Sequence, residues 1–467
     1  MKYQSTRGEA PVLEFSDVLL AGLAVDGGLY VPVEFPTLAS ADLYSLAEMS
    51  YSEVATRVLE PFVSPSIEVD ELGNMIEDSY STFRHPDVVP VKQLPAEIGN
   101  DRYLAELYWG PTFSFKDVAL QLLGRLFEYE LARRDTGVTI VGATSGDTGS
   151  AAIEACKDRS GIELVMLHPR GRVSEVQRRQ MTTVASPNIH NVAIDGTFDD
   201  CQDLVKAMFS DLQFRERHKL AAVNSINWAR VAAQTVYYFT TATRIAGPNQ
   251  PISFCVPTGN FGNILAGHIA SRMGLPIKRL IIASNHNDIL TRTHSSGVMQ
   301  IRDVEPSTSP AMDIQVSSNF ERLLFDLSDK DSVWLAAAMR DFRSSGSMTL
   351  GKSVAKRIRD LFDADRASEA EVEQEISSLY STQEEFLDPH TAVGVHVIRG
   401  MKLLDSPAAV MATAHPAKFN SVVEAATGVA PPQPAEISGL MRQTERCVDL
   451  PNELSAVMEF VSAASTS

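Results

Sequence analysis

From Val138 onward, short apolar runs alternate with longer amphipathic stretches, and this alternation restricts the fold more than any other feature of the chain. Val138–Val141, Ile162–Leu167, Ile189–Ile194, Ile252–Val256 and Leu280–Ala283 read as strands, with Ala408–Ala412 as a late one. Helices are expected from Ser150 to about Lys157, from Asp199 to Phe209, over Trp228–Ile245 and over Asn263–Met273. Buried strands separated by helices predict the α/β class, with a mostly parallel sheet covered on both faces. The first ~90 residues read differently. Gly27-Gly28 and Pro32 mark turns there, and a short helical pattern runs from Leu43 to Leu59. The stretch from Pro86 to Pro95 reads as a boundary. At 467 residues the chain is expected to form two or three domains.

Charge and cysteine usage exclude several function classes. The formal charge of −18 argues against nucleic acid and anionic membranes as partners, because both select basic surfaces. Cys156, Cys201, Cys255 and Cys447 are scattered and form no CxxC pair, so no disulfide framework is expected. His390 and His396 are placed for different helix faces, and no metal site is expected. Neither an apolar leader nor an apolar run near 18 residues is present. A reducing cytoplasmic setting follows as an expectation.

Three loops could carry chemistry. Thr258-Gly259-Asn260-Phe261-Gly262-Asn263 follows a strand and opens a helix. Its glycines allow backbone N–H groups to turn inward, and the helix N-terminus favours an anion at the same point, so a phosphate fits. A plain tight turn fits that loop equally well. Thr144-Ser145-Gly146-Asp147-Thr148-Gly149 repeats the strand-to-helix placement, with hydroxyls and amides suited to a carboxylate or phosphate. It lacks the lysine and spacing of a Walker loop, and a helix start capped by Thr148 or Ser150 is the plainer alternative. In Gly110-Pro111-Thr112-Phe113-Ser114-Phe115-Lys116-Asp117, Lys116 lies between aromatic residues and a helix N-terminus. Both surroundings favour a neutral amine, the form that attacks an aldehyde. Position alone fits a solvated surface lysine as well.

Taken together, the strings resemble the threonine synthase family, a group of fold-type-II pyridoxal-phosphate enzymes related in architecture to the tryptophan synthase β chain. Tyr3-Gln4-Ser5-Thr6-Arg7-Gly8, Asp26-Gly27-Gly28-Leu29-Tyr30-Val31-Pro32, Phe115-Lys116-Asp117 and Gly142–Gly149 carry the resemblance. So do Arg172–Met181, Pro257–Asn263 and Ser317-Ser318-Asn319-Phe320-Glu321-Arg322. The resemblance implies two open, mostly parallel sheets flanked by helices, plus an N-terminal module particular to the family. It implies segments 1–92 (the N-terminal module), 93–240 (a smaller domain with Lys116 and the 142–149 loop) and 241–467 (a larger domain with the 258–263 loop).

The same resemblance implies pyridoxal 5'-phosphate as cofactor, bound to Lys116 as a Schiff base. Gly259, Asn260, Phe261, Gly262 and Asn263 are then the phosphate cradle, and Thr413 faces the pyridine nitrogen. The implied reaction converts O-phospho-L-homoserine and water to L-threonine and phosphate, with Lys116 moving protons at Cα and Cβ. Thr144, Ser145, Gly146, Asp147 and Thr148 are expected to take the substrate carboxylate. Asn319 and Arg322, followed by Arg230 and Lys418, are expected to take its phosphate; the Arg178-Arg179 pair is ambiguous. Ser114 departs from the alanine common in the family, and a helix-entry cap explains it. The expected enzyme is a monomer or homodimer acting on a small molecule. Two rivals remain open at this point: a serine or threonine dehydratase on the same scaffold, and a ligand-binding module without chemistry.

Overall fold

The computed structural model describes residues 1–401 and 404–465. Residues 402–403 and 466–467, which fall in the expected 241–467 segment, lie outside the described residues. The N-terminal module pairs Lys2–Ser5 antiparallel with Leu13–Glu14 and Tyr30–Pro32, and continues into helices Ser40–Leu46, Tyr51–Val63 and Val69–Tyr80. The single helical pattern expected over Leu43–Leu59 is thus two helices. Ser50 starts the second with a capping box shared with Glu53, which competes with continuation of the first. Tyr3 is fully buried, its hydroxyl donating to the Phe62 carbonyl at 2.7 Å and its ring lying against Phe15 and Trp228. Thr6 and Arg7 close the seam by donating to Glu321 at 2.7 to 3.1 Å.

Two sheets form the body. The larger has six strands in the order Phe362–Arg366, Ile277–Ser284, Ile252–Pro257, Ala408–Ala412, Arg102–Glu106, Val91–Gln93. All its neighbours are parallel except the last pair. The smaller has five parallel strands in the order Val448–Leu450, Ile189–Ile194, Ile162–Pro169, Val138–Ala143, Leu220–Ala221. Ile252–Pro257 and Ala408–Ala412 are buried along their whole length, as strands covered by helices on both faces must be. Helices Lys116–Arg133 and Trp228–Ile245 share one core with the N-terminal module and both sheets. Among the described residues no helix is long and apolar enough to cross a membrane.

The expected segment borders do not match the sheets. Arg102–Glu106, assigned to the 93–240 segment, is a strand of the larger sheet. Val448–Leu450, assigned to 241–467, pairs with Val192–Ile194 in the smaller one. Parallel pairing joins strands distant in sequence, so the chain crosses between sheets at both ends.

Candidate active site

The Lys116 loop is shaped by its own residues. Asp117 accepts the Thr112 amide and hydroxyl, each at 2.7 Å, folding 110–117 back on itself. A Cβ at Gly110 would meet Asp117 Cβ at 2.4 Å, so only glycine fits that turn. Burial pushes the Asp117 carboxyl up to about 6, against the Thr112 bonds and the Lys418 charge, which act the other way. Phe113 takes a left-handed φ of 59°. Residues 113–115 then run antiparallel to 413–415. Phe115 N–H donates to the Thr413 carbonyl at 2.9 Å, and His415 N–H to the Phe113 carbonyl at 3.1 Å. These two bonds seat Lys116 beside Thr413, although 297 residues separate them in the chain. Thr413 N–H donates to Thr391 Oγ1 at 3.3 Å, and the Thr413 hydroxyl has no protein partner among the described residues.

The Lys116 amine is buried, 3.4 Å from Asp147 Oδ2 and 4.9 Å from the centre of the Phe115 ring. Burial lowers its pKa; Asp147 opposes that, while the charges of Lys418 and Arg230 reinforce it. For the Asp147 carboxyl, burial favours the neutral acid, but Lys418 and Lys116 outweigh it and hold the group far below the usual carboxylate range. Asp147 Oδ1 accepts from Lys418 Nζ at 2.7 Å and from Gln177 Nε2 at 2.8 Å. The carboxylate is therefore committed to protein cations. The Asp147 side chain thus has protein partners of its own in the loop from which the motif suggested a substrate-carboxylate site.

The second loop holds a further surprise. The helix opens at Asp147 rather than Ser150, behind Gly146 at φ 142°. Thr144, not Thr148 or Ser150, does the capping, its Oγ1 accepting from Gly146 N–H at 2.9 Å and Gly149 N–H at 2.8 Å. Thr144 is thereby occupied, while Ser145 and Thr148 are half-buried with hydroxyls that bond to no protein group among the described residues.

At the third loop, Phe261 adopts a left-handed φ of 62° and caps helix Gly262–Arg272. This gives the inward amide arrangement with a phenylalanine where glycine is usual. A Cβ at Gly259 would lie 2.5 Å from the Ala311 carbonyl oxygen. The Asn263 amide is oriented by Tyr237 and Tyr238, whose hydroxyls donate to its Oδ1 at 2.7 and 2.9 Å. Its Nδ2 is left as a buried donor without a partner. Arg230 is a second such case: fully buried, it donates Nη1 to the Val223 carbonyl, and its Nε has no partner. Burial pulls its pKa down to about 10. Buried donors are seldom left unmatched, so the Asn263 amide at this helix-opening loop fits a phosphate. With Lys116 and the Thr413 hydroxyl, this residue set fits pyridoxal 5'-phosphate.

Arg322 and Asn319 do not join the site as expected. The Arg322 guanidinium is consumed by the Tyr30 and Ile226 carbonyls and by Asn319 Oδ1. Asn319 Nδ2 donates to the Ser225 and Asn260 carbonyls at 3.0 and 3.1 Å. Both brace the phosphate loop from behind. Arg178 and Arg179 are tied to Glu445. Arg230 and Lys418, placed behind Arg322 and Asn319 in the sequence reading, are the cations that bear on Lys116. The contacts of Gln177 with Asp147 and of His390 with Asp388, the latter at 2.9 Å, were not anticipated, since Gln177 was read only as part of the Arg172–Met181 string and His390 only against a metal site.

Comparison with known proteins agrees with this geometry. Residues 2–80 match the family described as threonine synthase N terminus, residues 84–341 match pyridoxal-phosphate dependent enzyme, and residues 391–461 match threonine synthase, C-terminal. The chain is 49% identical to a threonine synthase of Pseudomonas aeruginosa, over 99% of this chain and 98% of that one. It is 41% identical to a threonine synthase of Schizosaccharomyces pombe, covering 96% and 95%. Among solved structures, a threonine synthase from Brucella melitensis with pyridoxal phosphate bound superposes with a TM-score of 0.96 at 50% identity, with full coverage of both chains. The yeast threonine synthase gives 0.93 at 36% identity, covering 100% and 99%.

Proposed function

The chain belongs to the threonine synthase family, and on that premise we propose that it converts O-phospho-L-homoserine and water to L-threonine and phosphate by γ-elimination and β-addition. The observation that carries this reading is the seating of a buried, depressed-pKa lysine against Thr413, together with the unmatched buried Asn263 donor in the 258–263 loop. Lys116 would hold the cofactor's aldehyde carbon, Gly259–Asn263 its phosphate, and Thr413 its ring nitrogen. When bound, pyridoxal 5'-phosphate supplies the electron sink that makes carbanions at the substrate's Cα and Cβ accessible.

The protein's own residues do the remaining work. The Lys116 amine takes the Cα proton and moves a second proton at Cβ, which its neutral form in a buried site allows. Arg230 offers the leaving phosphate a charge that Val223 alone does not satisfy. Ser145 and Thr148 offer free hydroxyls to the substrate carboxylate. Phosphate departs from Cγ with loss of the Cβ proton, a proton returns to Cγ, water then adds its hydroxyl at Cβ, and Cα is reprotonated. Four unpaired cysteines and the formal charge of −18 support a reducing cytoplasmic setting with neither nucleic acid nor membrane as partner, for a monomer or homodimer.

Incubation with phosphohomoserine is expected to release phosphate and threonine in equal amounts. Keto acid from L-threonine as the main product would instead establish a dehydratase. The Lys116→Ala variant should fold normally yet lose the yellow cofactor absorbance and turnover; wild-type turnover would remove Lys116 from the reaction.

A further inference from the structure

Two buried lysines, Lys116 and Lys418, share one buried carboxylate, and a third buried cation, Arg230, adds its charge at Lys116. Asp147 comes from helix Asp147–Cys156, Lys418 from the turn Pro416–Phe419, and Arg230 from helix Trp228–Ile245. Gln177, from helix Glu175–Thr182, fills another position on Asp147, and the charge of His390, from helix Pro389–Gly400, acts on the same carboxyl. On its own helix, Lys116 is followed by Asp117, which is closed off by Thr112 and also feels Lys418.

The two lysines do not share Asp147 equally. Lys418 is completely buried, and its Nζ lies 2.7 Å from Oδ1 and 2.9 Å from the Thr112 carbonyl. The first distance is that of a charge-assisted hydrogen bond. Lys116 stands off at 3.4 Å from Oδ2, with the Phe115 ring on another side. Two buried ammonium groups on one carboxylate leave a surplus positive charge. The group with the longer bond and the more apolar surroundings is the one that sheds its proton.

We propose that Lys418 is a positioning residue that engages the Asp147 charge and so keeps the Lys116 amine free to form its covalent bond with an aldehyde. The role rests on the reading of Lys116 as the cofactor lysine. Without Lys418, the nearest cation for Asp147 is Lys116, which would be held as an ammonium ion and unable to attack. Loss of both charged partners would release Lys116 again, since removing a buried pair together avoids leaving one charge uncompensated.

The test is the rate at which formaldehyde with cyanoborohydride methylates Lys116 in the full chain before cofactor is added, followed across pH by peptide mass mapping. In Lys418→Met the pH of half-maximal reaction should rise by about one unit, a tenfold slower reaction near neutral pH. In Lys418→Met combined with Asp147→Asn it should return toward the wild-type value. No rise in the single variant, or a rise that persists in the double variant, overturns the role. Should Lys418→Met fail to fold, two measurements still decide. Wild-type Lys116 must react at lower pH than surface lysines, and Asp147→Asn must lower that pH further; either reversed overturns the proposal. Separately, borohydride trapping of pyridoxal 5'-phosphate on the wild type shows whether Lys116 is the attachment site, so failure of that premise is told apart from failure of the Lys418 role.

Discussion

At the scale of single residues, burial and partner type distinguish arginines that look alike in sequence. Arg322 is a structural clamp: three acceptors depend on it, and its removal leaves carbonyls unpaired in a dry seam between the N-terminal module and the phosphate loop. Arg322→Met is expected to cost about 2–4 kcal/mol in urea unfolding, with the KM for phosphohomoserine little changed in the folded fraction. Arg230→Gln should do the opposite, leaving the unfolding midpoint close to wild type while kcat/KM falls at least about tenfold, through loss of roughly 1.5–3 kcal/mol of charge-assisted bonding. Equal effects on stability and kinetics in both variants would erase the distinction. His415 supplies a pH signature. Its Nδ1 accepts the Ala417 N–H at 3.1 Å, which requires an unprotonated nitrogen, and burial pulls its pKa down to about 4. The unfolded value is near 6.5, so the folded state binds fewer protons between those limits. Its contribution is complete above pH ~6.5 and is lost as pH falls through about 4. His415→Asn keeps an acceptor for the cap and removes the titration. Between pH 7.5 and 4.5, denaturant melts should show the wild type losing about 2 kcal/mol more than this variant.

Elements were more legible than their contacts. Apolar runs located six of the eleven strands described in the two sheets, because burial on two faces leaves a continuous signature, while Val91–Gln93, Arg102–Glu106, Leu220–Ala221, Phe362–Arg366 and Val448–Leu450 went unread; the glycine loops marked where helices begin. The strings singled out Lys116, the 258–263 loop and Thr413, and the structure seats Lys116 beside Thr413. The contacts around them were not legible: Lys418, expected at a substrate phosphate, instead bonds Asp147, and Gln177 and the Tyr237–Tyr238 pair act across distant segments that local spacing does not encode. Arg322 was misjudged for the same reason, since charge suggests a ligand while its carbonyl partners are visible only in three dimensions. Gly124 illustrates the element scale. It lies in the middle of helix Lys116–Arg133, where glycine costs about 1 kcal/mol relative to alanine. A Cβ there would sit 2.3 Å from the Ala155 carbonyl oxygen of the neighbouring helix and 2.9 Å from Arg159 Nε. A backbone oxygen in a packed helix cannot yield as a side-chain end can. Gly124→Ala should therefore lower stability by about 1–2 kcal/mol despite its better propensity, as overpacking outweighs the helix gain. A stabilised variant in urea melts would contradict this.

For the whole molecule, the smaller sheet depends on the far end of the chain. Strand Val448–Leu450 covers the edge of Ile189–Ile194, and Asp195 N–H donates to the Leu450 carbonyl at 3.2 Å. Helix Leu454–Ala464 buries Val457, Val461 and Ala464 in one cluster with Cys201, Leu204 and Met208. Each valine contributes about 1.5–3 kcal/mol when withdrawn from water, so the helix alone supplies several kcal/mol, comparable to the net stability of a domain. Ending the chain after Cys447 removes that cover and exposes an apolar parallel strand as a free edge, which favours association between chains. The phosphate loop and Thr413 sit on the larger sheet, whose strands all precede the cut, whereas the 142–149 loop and Gln177 belong to the smaller sheet and its helices. The truncated chain should therefore unfold in two steps on heating, with the first well below the wild-type transition and marked by aggregation. Cofactor should still be trapped on Lys116 at temperatures below that first step, with turnover strongly reduced, because Asp147 and its partners rest on the weakened half. A single transition at the wild-type temperature would mean that the C-terminal strand and helix are dispensable, and that the smaller sheet is held by its central strands alone.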